Sequence, residues 1–223
     1  MFLLTGNMLK LIAAISMLLD HMGILLFPQQ VWLRIAGRLA FPIFAYMIAE
    51  GCRYTRSRAR YLGLMAVLAA IYQAVYYLFN GDLYFSILVT FSLSILTIYA
   101  LDACKAKANP ISICALLFAL LIVWWLNDKF TIDYGFWGCM APVFASLPAN
   151  TRYDRPGIRL GCFALGLVLL SVDSFAIQYY CLLSLPLLML YNGKRGKCNL
   201  KYFFYIFYPA HLVVLQGLQM LFF

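Results

Sequence analysis

The stretch from Lys10 to Leu26, KLIAAISMLLDHMGILL, decides the fold class of this chain. It is apolar along almost its whole length, and at about 1.5 Å per residue it crosses most of a bilayer core of roughly 30 Å. Two ionisable residues, Asp20 and His21, stand side by side inside it. Because an ionisable side chain at bilayer depth is costly, this pair indicates a site with a partner or a chemical task.

The composition of the whole chain is that of an integral membrane protein. Of its 223 residues, 65% are hydrophobic and 11% are charged, whereas soluble domains have about 45–50% and about 25%. We therefore expect an all-α membrane fold with a single domain over residues 1–223. The seven cysteines show no metal-ligand spacing, so we expect no metal site.

Hydropathy predicts a polytopic bundle of about nine transmembrane helices. The first is expected to be retained, because its apolar run is too long for a cleaved signal peptide. The predicted spans lie near residues 9–27, 31–50, 60–79, 83–101, 109–126, 131–147, 158–172, 175–191 and 201–222. The sixth and seventh are short, so we expect them to be tilted or partly re-entrant.

The distribution of basic residues predicts the orientation of these helices. Arginines and lysines cluster in alternate loops, whereas the intervening loops hold only Lys129 with three aspartates. By the positive-inside rule the N-terminus is cytoplasmic and the C-terminus lies outside, in a multi-pass protein of the cytoplasmic (inner) membrane. Because topology accounts for most of the formal charge of +9, the expected partner is the lipid bilayer and not nucleic acid. The basic loop residues are Arg53, Arg56, Arg58, Arg60, Lys105, Lys107, Arg152, Arg155, Arg159, Lys194, Arg195, Lys197 and Lys201.

Both histidines of the chain and one arginine are expected at a similar depth. His21 lies about 16 Å inward from Lys10, counting the rise of a helix. His211 lies about 15 Å inward from Lys201, and Arg38 lies about 20 Å from the inner face. We therefore predict a polar layer inside the membrane.

A stripe of polar residues predicts that the second span faces the protein interior. An arginine cannot point at lipid tails, so this face lines a protein interior or a wet cavity. Asp20 is expected to neutralise Arg38, because the loop joining the two helices is short. The stripe recurs every fourth residue and consists of Arg34, Arg38, Pro42, Tyr46 and Glu50.

Four sequence blocks carry a family resemblance. They are KLIAAISMLLDHMG (10–23), GRLAFPIFAYMIAEG (37–51), DYGFWG (133–138) and KYFFYIFYPAHLVVL (201–215). Together they resemble the TraX family from about Lys10 to Leu215. That family is related to integral-membrane acyltransferases that acetylate saccharides and other acceptors, and its type member acetylates the N-terminus of conjugative pilin.

The resemblance implies acetyl-coenzyme A as the donor. The acceptor would be an amine or hydroxyl, on a protein N-terminus or a saccharide-like molecule that the sequence does not identify. The wider superfamily has a basic residue eleven positions before an essential membrane histidine, and here that pair is Lys10 and His21. His21 would be the general base or a transient acyl carrier, since a neutral imidazole can take a proton or an acyl group.

Further residues are assigned to this chemistry as hypotheses. Arg38 would hold Asp20 or stabilise negative charge on the attacked carbonyl oxygen. His211 or Tyr208 would supply a second proton-handling group. Ser94 is assigned to the donor site, although hydroxyls on membrane helices more often bond neighbouring helices. The residues expected to bind the phosphates of the donor are Lys10, Arg53, Arg56 and Arg60.

Two other classes of function remain open at the level of sequence. An ion-coupled transporter also uses intramembrane charges and broken helices, but the chain shows no internal repeat. A non-catalytic membrane assembly protein would need no polar layer.

Overall fold

The long apolar stretches of this chain form long helices. The computed structural model describes residues 3–197 and 200–222, except the side chains of residues 79–80, 201–202, 205 and 222. A 3₁₀ helix covers Ala176–Leu183, and two short strands, β1 (Tyr84–Phe85) and β2 (Thr131–Ile132), pair in parallel. The α-helices are α1 (Gly6–Leu25), α2 (Val31–Gly37), α3 (Ala40–Tyr54), α4 (Arg58–Asn80), α5 (Ile87–Ala106), α6 (Pro110–Lys129), α7 (Gly135–Ser146), α8 (Pro156–Val172), α9 (Ser184–Met189) and α10 (Lys201–Phe222).

The helix lengths agree with an all-α membrane protein. Within the described residues, the helical stretches long and apolar enough to cross a bilayer are Gly6–Leu25, Val31–Tyr54, Arg58–Leu78, Ile87–Ala106 and Pro110–Lys129. They coincide with the first five predicted spans. The later helices are shorter, with 12 residues in α7 and 17 in α8. The total number of spans and their orientation therefore stay predictions.

The starts of the helices follow from local sequence. Thr5 precedes α1, and its side chain accepts a hydrogen bond from the backbone N–H of Met8. Asn109 and Ser112 form a capping box before α6, with Pro110 in the first turn. Proline fits there because the first turn of a helix needs no N–H from that position.

The span predicted near residues 175–191 corresponds to a helical stretch, Ala176–Met189, that is not one continuous α-helix. The structure has the 3₁₀ helix at Ala176–Leu183, followed by the short α9 at Ser184–Met189. Pro186 has no N–H and cannot donate to the carbonyl of Leu182, so an α-helical ladder cannot run through this point unbroken.

The described chain divides into two compact units. The first comprises Met1–Met47 together with Ser174–Phe223, and the second comprises Ile48–Asp173. The boundary near the middle of the chain falls inside α3. The expectation of a single domain stays a prediction.

In the first unit, α1 packs against both α2 and α10. The α1–α2 contact is close because glycines stand where the helices meet. A Cβ atom on Gly23 would lie 3.0 Å from the Cβ of Leu33. This close approach places the polar residues of α1 against those at the end of α2.

In the second unit, α5 is tied to α7 by buried hydroxyl groups. The Ser94 hydroxyl contacts the carbonyl oxygens of Thr90 and Cys139, at 2.9 and 2.8 Å. The Thr90 hydroxyl donates to the carbonyl of Asp133 at 2.7 Å. Thr97, on the same face of α5, is also fully buried. Hydrogen bonds of this kind hold neighbouring helices together.

The DYGFWG motif begins α7 through two residues in the left-handed region. Tyr134 has a φ of 62° and Gly135 a φ of 60°. Gly138 must lack a side chain, because a Cβ atom there would overlap the Tyr134 side chain. Burial, together with the neighbouring Asp133 carboxylate, raises the pKa of Tyr84 on β1. The motif is therefore a turn that starts a helix.

Candidate functional site

Asp20 lies between two arginines within the first unit. Arg38 Nη2 donates to both carboxylate oxygens of Asp20, at 2.6 and 2.7 Å. Arg34 Nη1 lies 2.8 Å from Asp20 Oδ2. Asp20 and Arg38 are each only 8% exposed. The predicted neutralisation of Arg38 by Asp20 is confirmed, since burial of these charges requires such pairing.

The Asp20 cluster, made of Asp20, Arg34, Arg38 and Gln178, carries one net positive charge. Gln178, in the 3₁₀ helix, accepts a hydrogen bond from Arg38 Nη1 at 3.1 Å. Sequence reasoning missed Gln178 because it lies 140 residues from Arg38 and no local pattern points to it. A buried site with excess positive charge favours an anion or a developing negative charge nearby.

Gly37 allows the Asp20 cluster to form. A Cβ atom on Gly37 would overlap the side chain of Asp20. The carboxylate of Asp20 therefore packs directly against the backbone at the end of α2.

The predicted stripe along the second span does face the protein interior: Arg38 is 8% exposed, Tyr46 5% and Glu50 7%, and Pro42 is fully buried. The helix that carries the stripe is interrupted, however. The α-helix ends at Gly37 and resumes at Ala40. Pro42 cannot donate a hydrogen bond to the carbonyl of Arg38, so the helical ladder is interrupted at this turn. Glu50, the last residue of the predicted stripe, belongs to the second unit and pairs there with Arg159.

The structure brings the two histidines into contact. His211 Nε2 lies 3.2 Å from His21 Nδ1, and the ring centroids are 5.0 Å apart at an angle of 62°. His21 on α1 also lies within electrostatic range of Asp20, Arg34 and Arg38. Tyr208 contacts the ring of His211 edge-on, with centroids 5.9 Å apart.

Backbone carbonyls determine where the protons lie on both neutral rings. His21 Nδ1 is 2.9 Å from the carbonyl of Met17, and His211 Nδ1 is 2.8 Å from that of Phe207. A carbonyl oxygen only accepts, so each neutral ring carries its proton on Nδ1. His21 Nδ1–H is then shared between the Met17 carbonyl and the unprotonated Nε2 of His211. Within the described residues, no hydrogen bond reaches Nε2 of His21.

The residues predicted to bind the donor are distributed over both units. Lys10 is half-buried in α1 of the first unit, whereas Arg53, Arg56, Arg60 and Ser94 belong to the second. Arg53 Nη2 lies 3.2 Å from a carboxylate oxygen of Asp154, and Arg56 and Arg60 are exposed. Their roles in donor binding stay predictions.

Comparisons with known proteins identify a family and relatives of this chain. A family model described as TraX protein matches residues 5–219. A probable fimbrial assembly protein FimC, serogroup H1, from Dichelobacter nodosus is 28% identical over 239 residues, which cover 95% of this chain and 94% of that protein. An uncharacterized protein of Rickettsia prowazekii (strain Madrid E) is 27% identical over 157 residues, covering 70% of this chain and 60% of that protein. No solved structure matches the chain.

The family model covers nearly the whole chain, and its range includes Asp20, Arg38 and both histidines. The chain belongs to the TraX family.

Proposed function

We propose that this protein is a membrane-embedded acyltransferase, which moves an acetyl group from cytosolic acetyl-coenzyme A to an amine or hydroxyl acceptor. The observation that carries the proposal is the histidine pair. Its hydrogen bonds leave the lone pair of His21 Nε2 available as a base, beside a buried cluster with excess positive charge.

His21 takes the proton of the acceptor. As the acceptor nitrogen or oxygen bonds to the acetyl carbon, its proton moves to Nε2 of His21. The carbon–sulfur bond then breaks, and the coenzyme A sulfur leaves as a thiolate and takes that proton. The products are the acetylated acceptor and the free thiol, so atoms and electrons balance. An acetyl-histidine route would use the same Nε2 atom as nucleophile.

His211 stabilises the charged state of His21. Once Nε2 is protonated, the ring is an imidazolium whose Nδ1–H still donates to Nε2 of His211. Hydrogen bonds that involve an ionised group are roughly twice as strong as neutral ones. His211 is held in the accepting orientation by the Phe207 carbonyl.

The Asp20 cluster supplies the electrostatic part of the reaction. Arg34 and Arg38 share one carboxylate, so the cluster keeps positive charge near His21. Such charge favours the negative oxygen that develops on the attacked thioester carbonyl.

The acceptor is a protein N-terminus or a saccharide. The name of the Dichelobacter relative refers to fimbrial assembly, which supports a fimbrial subunit as the acceptor of this chain. The same name supports a second candidate function, an assembly role without catalysis.

Replacement of His21 by alanine tests the proposal. We expect a loss of acetyl transfer of at least about 100-fold, the usual contribution of a positioned base. The measurement is thiol release from acetyl-coenzyme A in detergent, with peptides bearing a free α-amine and with simple hexoses as acceptors.

The matched control is Ser92→Ala, because among the described residues that hydroxyl donates to the carbonyl of Leu88 in its own helix, at 2.8 Å, and to no other group. Thermal unfolding of both variants tests for a loss of fold. Transfer at the wild-type rate by folded His21→Ala would rule out His21 as the base. Fimbrial assembly that persists in cells carrying that variant would favour the non-catalytic role.

A further inference from the structure

A row of three tyrosine rings runs from α4 to β1 in the second unit. The rings of Tyr72 and Tyr76 are stacked with centroids 6.2 Å apart, and the ring of Tyr84 lies 5.9 Å from that of Tyr76. Two carboxylates adjoin this row, because the hydroxyl of Tyr76 is hydrogen-bonded to Asp82 and the hydroxyl of Tyr84 to Asp133. Aromatic rings and carboxylates therefore lie side by side in this part of the fold.

The pairing of β1 with β2 places Ser86 on the same side as Tyr84 and Asp133. The two strands are in parallel register from Tyr84 and Thr131 onward, and the backbone N–H of Asp133 donates to the carbonyl of Phe85 at 2.9 Å. Side chains alternate along a strand, and paired residues of a parallel ladder point to the same side. The side chains of Ser86 and Asp133 are therefore neighbours on one face.

The hydroxyl of Ser86 is buried without a hydrogen-bond partner among the described residues. Ser86 is only 2% exposed, and although it immediately precedes α5, its side chain does not cap that helix. A buried hydroxyl of this kind is costly unless it finds a partner, and it can accept a hydrogen bond from a donor group that lies beside Asp133. We call the following residues the tyrosine–aspartate face: Tyr72, Tyr76, Asp82, Tyr84, Ser86 and Asp133.

The charge at this end of the second unit favours a cation. Residues 80–86 and 127–135 contain three aspartates and one basic residue, Lys129, which pairs with Asp128 at 3.0 Å. The tyrosine hydroxyls that contact Asp82 and Asp133 are neutral, so they leave the negative charge of these carboxylates in place. The faces of tyrosine rings also attract cations.

The tyrosine–aspartate face lies at the end of a helix that is exposed to lipid. Only 6% of the apolar stretch Arg58–Leu78 in α4 is buried inside the protein. Large apolar side chains recur along one side of this helix at helical spacing, at Val67, Ile71, Val75 and Leu78, and all four are exposed. Acyl chains cover such a surface in a bilayer, and tyrosines at the end of a membrane helix lie at the level of the headgroups.

We infer that the tyrosine–aspartate face binds the primary ammonium group of a lipid headgroup, of the phosphatidylethanolamine type. The inference goes beyond the proposed function and does not depend on it. A primary ammonium has three N–H donors, which match the carboxylates of Asp82 and Asp133 and the hydroxyl of Ser86. The trimethylammonium of phosphatidylcholine has no N–H, and the headgroup of phosphatidylglycerol has no positive charge. A lysine of a partner protein offers the same ammonium, but the exposed apolar side of α4 favours a lipid.

The test measures lipid binding to the purified full chain by native mass spectrometry in a non-ionic detergent. Phosphatidylethanolamine, phosphatidylcholine and phosphatidylglycerol with identical acyl chains are offered in equal amounts. We expect wild type to prefer phosphatidylethanolamine over phosphatidylcholine by at least about tenfold, because hydrogen bonds between charged groups are strong. The double variant Asp82→Asn, Asp133→Asn should bind the two lipids about equally.

The matched control is the double variant Asp128→Asn, Asp173→Asn. It also removes two carboxylates, both of them exposed, and it should keep the preference of wild type. Asp82 is exposed as well, so Asp82→Asn alone should fold and lose part of the preference, which keeps the test decisive if the first double variant does not fold.

Replacement of Ser86 by alanine separates ligand binding from a structural role. The hydroxyl has no partner among the described residues, so Ser86→Ala should leave thermal unfolding in phosphatidylcholine unchanged. The preference for phosphatidylethanolamine should fall by about threefold, the usual contribution of one hydrogen bond.

Three results would overturn the inference. The first is equal binding of phosphatidylethanolamine and phosphatidylcholine by wild type. The second is a preference that persists in the folded Asp82→Asn, Asp133→Asn variant. The third is displacement of phosphatidylethanolamine from wild type by an equal concentration of N-acetyl-lysine methylamide, which would assign the face to a protein amine. Acetyl transfer is measured separately, and none of these results bears on His21 as the base.

Discussion

Arg38 contacts two chemically different neighbours with one planar group. Its Nη2 donates to both oxygens of Asp20, while its Nη1 donates to the amide oxygen of Gln178 at 3.1 Å. A guanidinium presents several donors in a fixed fork, whereas an ammonium is a compact point charge on a flexible stem. The hydrogen bonds of Arg38 therefore depend on the planar shape of its guanidinium as well as on its charge.

Arg38→Lys should reduce acetyl transfer even though it conserves the charge. We expect a fall of at least about tenfold, because an ammonium carries all its donors on one nitrogen, whereas two separate nitrogens of Arg38 bind Asp20 and Gln178. The measurement is the rate of thiol release, compared with the rate of Arg34→Lys. Arg34 makes a single contact with the carboxylate, at 2.8 Å, so its variant should lose less. Wild-type turnover in Arg38→Lys would show that a point charge is sufficient.

At the scale of elements, the α1–α2 hairpin brings the polar residues together. Gly37 lets the backbone of α2 approach Asp20, and the interruption before Ala40 gives Arg38 its position between two helices. The positions of Asp20 and Arg38 thus depend on two uncharged backbone features, the glycine at position 37 and the interruption of the helix before Ala40.

Gly37→Ala should destabilise the protein and lower its activity. An added methyl group must displace the Asp20 side chain, and such overpacking usually costs about 1–3 kcal/mol. Thermal unfolding and thiol release measure the two effects. The control is Gly63→Ala in α4, where a Cβ atom meets nothing within 4 Å. That variant should be neutral or stabilising, because alanine favours a helix over glycine. Equal behaviour of the two variants would contradict a close α1–α2 contact.

The sequence predicted those features that have a local cause. The apolar runs predicted the first five long helices, and the short loop between the first two spans predicted the Asp20–Arg38 pair. The interruption at Arg38 was missed, although Pro42 was its local signal, because the repeat of polar residues favoured one straight helix. Gln178 and the contact between His21 and His211 depend on residues far apart in the chain, and only depth could be predicted for the histidines.

At the scale of the whole molecule, the two units use their charges differently. In the second unit, two acids and two arginines form a network in which Glu50 and Arg159 are buried and Arg53 and Asp154 are partly exposed. Lys105 donates to the carbonyls of Ser146 and Ala149 and so holds the end of α7. These groups neutralise one another, which is typical of a structural role.

Glu50→Gln should lower stability without affecting the binding of coenzyme A. Removal of the Glu50 charge leaves Arg53 and Arg159 to share the single carboxylate of Asp154, and breaking a buried ion pair costs at most about 3–5 kcal/mol. The control is Asp128→Asn, because Asp128 pairs with Lys129 while 54% exposed, and an exposed pair contributes little. Thermal unfolding and calorimetry provide the two readings. A stable Glu50→Gln variant with weakened coenzyme A binding would instead place Glu50 in the ligand site.

The contact between the histidines also has a consequence for biosynthesis. His21 and His211 are separated by 190 residues, and a ribosome adds about 5–20 residues per second. His21 therefore leaves the ribosome roughly 10–40 seconds before its partner exists. Asp20 and Arg38 emerge almost together and can pair early, so the nascent chain carries its buried charges already compensated. The histidine site is completed only by α10, and a prematurely terminated chain would have the Asp20–Arg38 pair and His21 without the His211 that stabilises the charged state of His21.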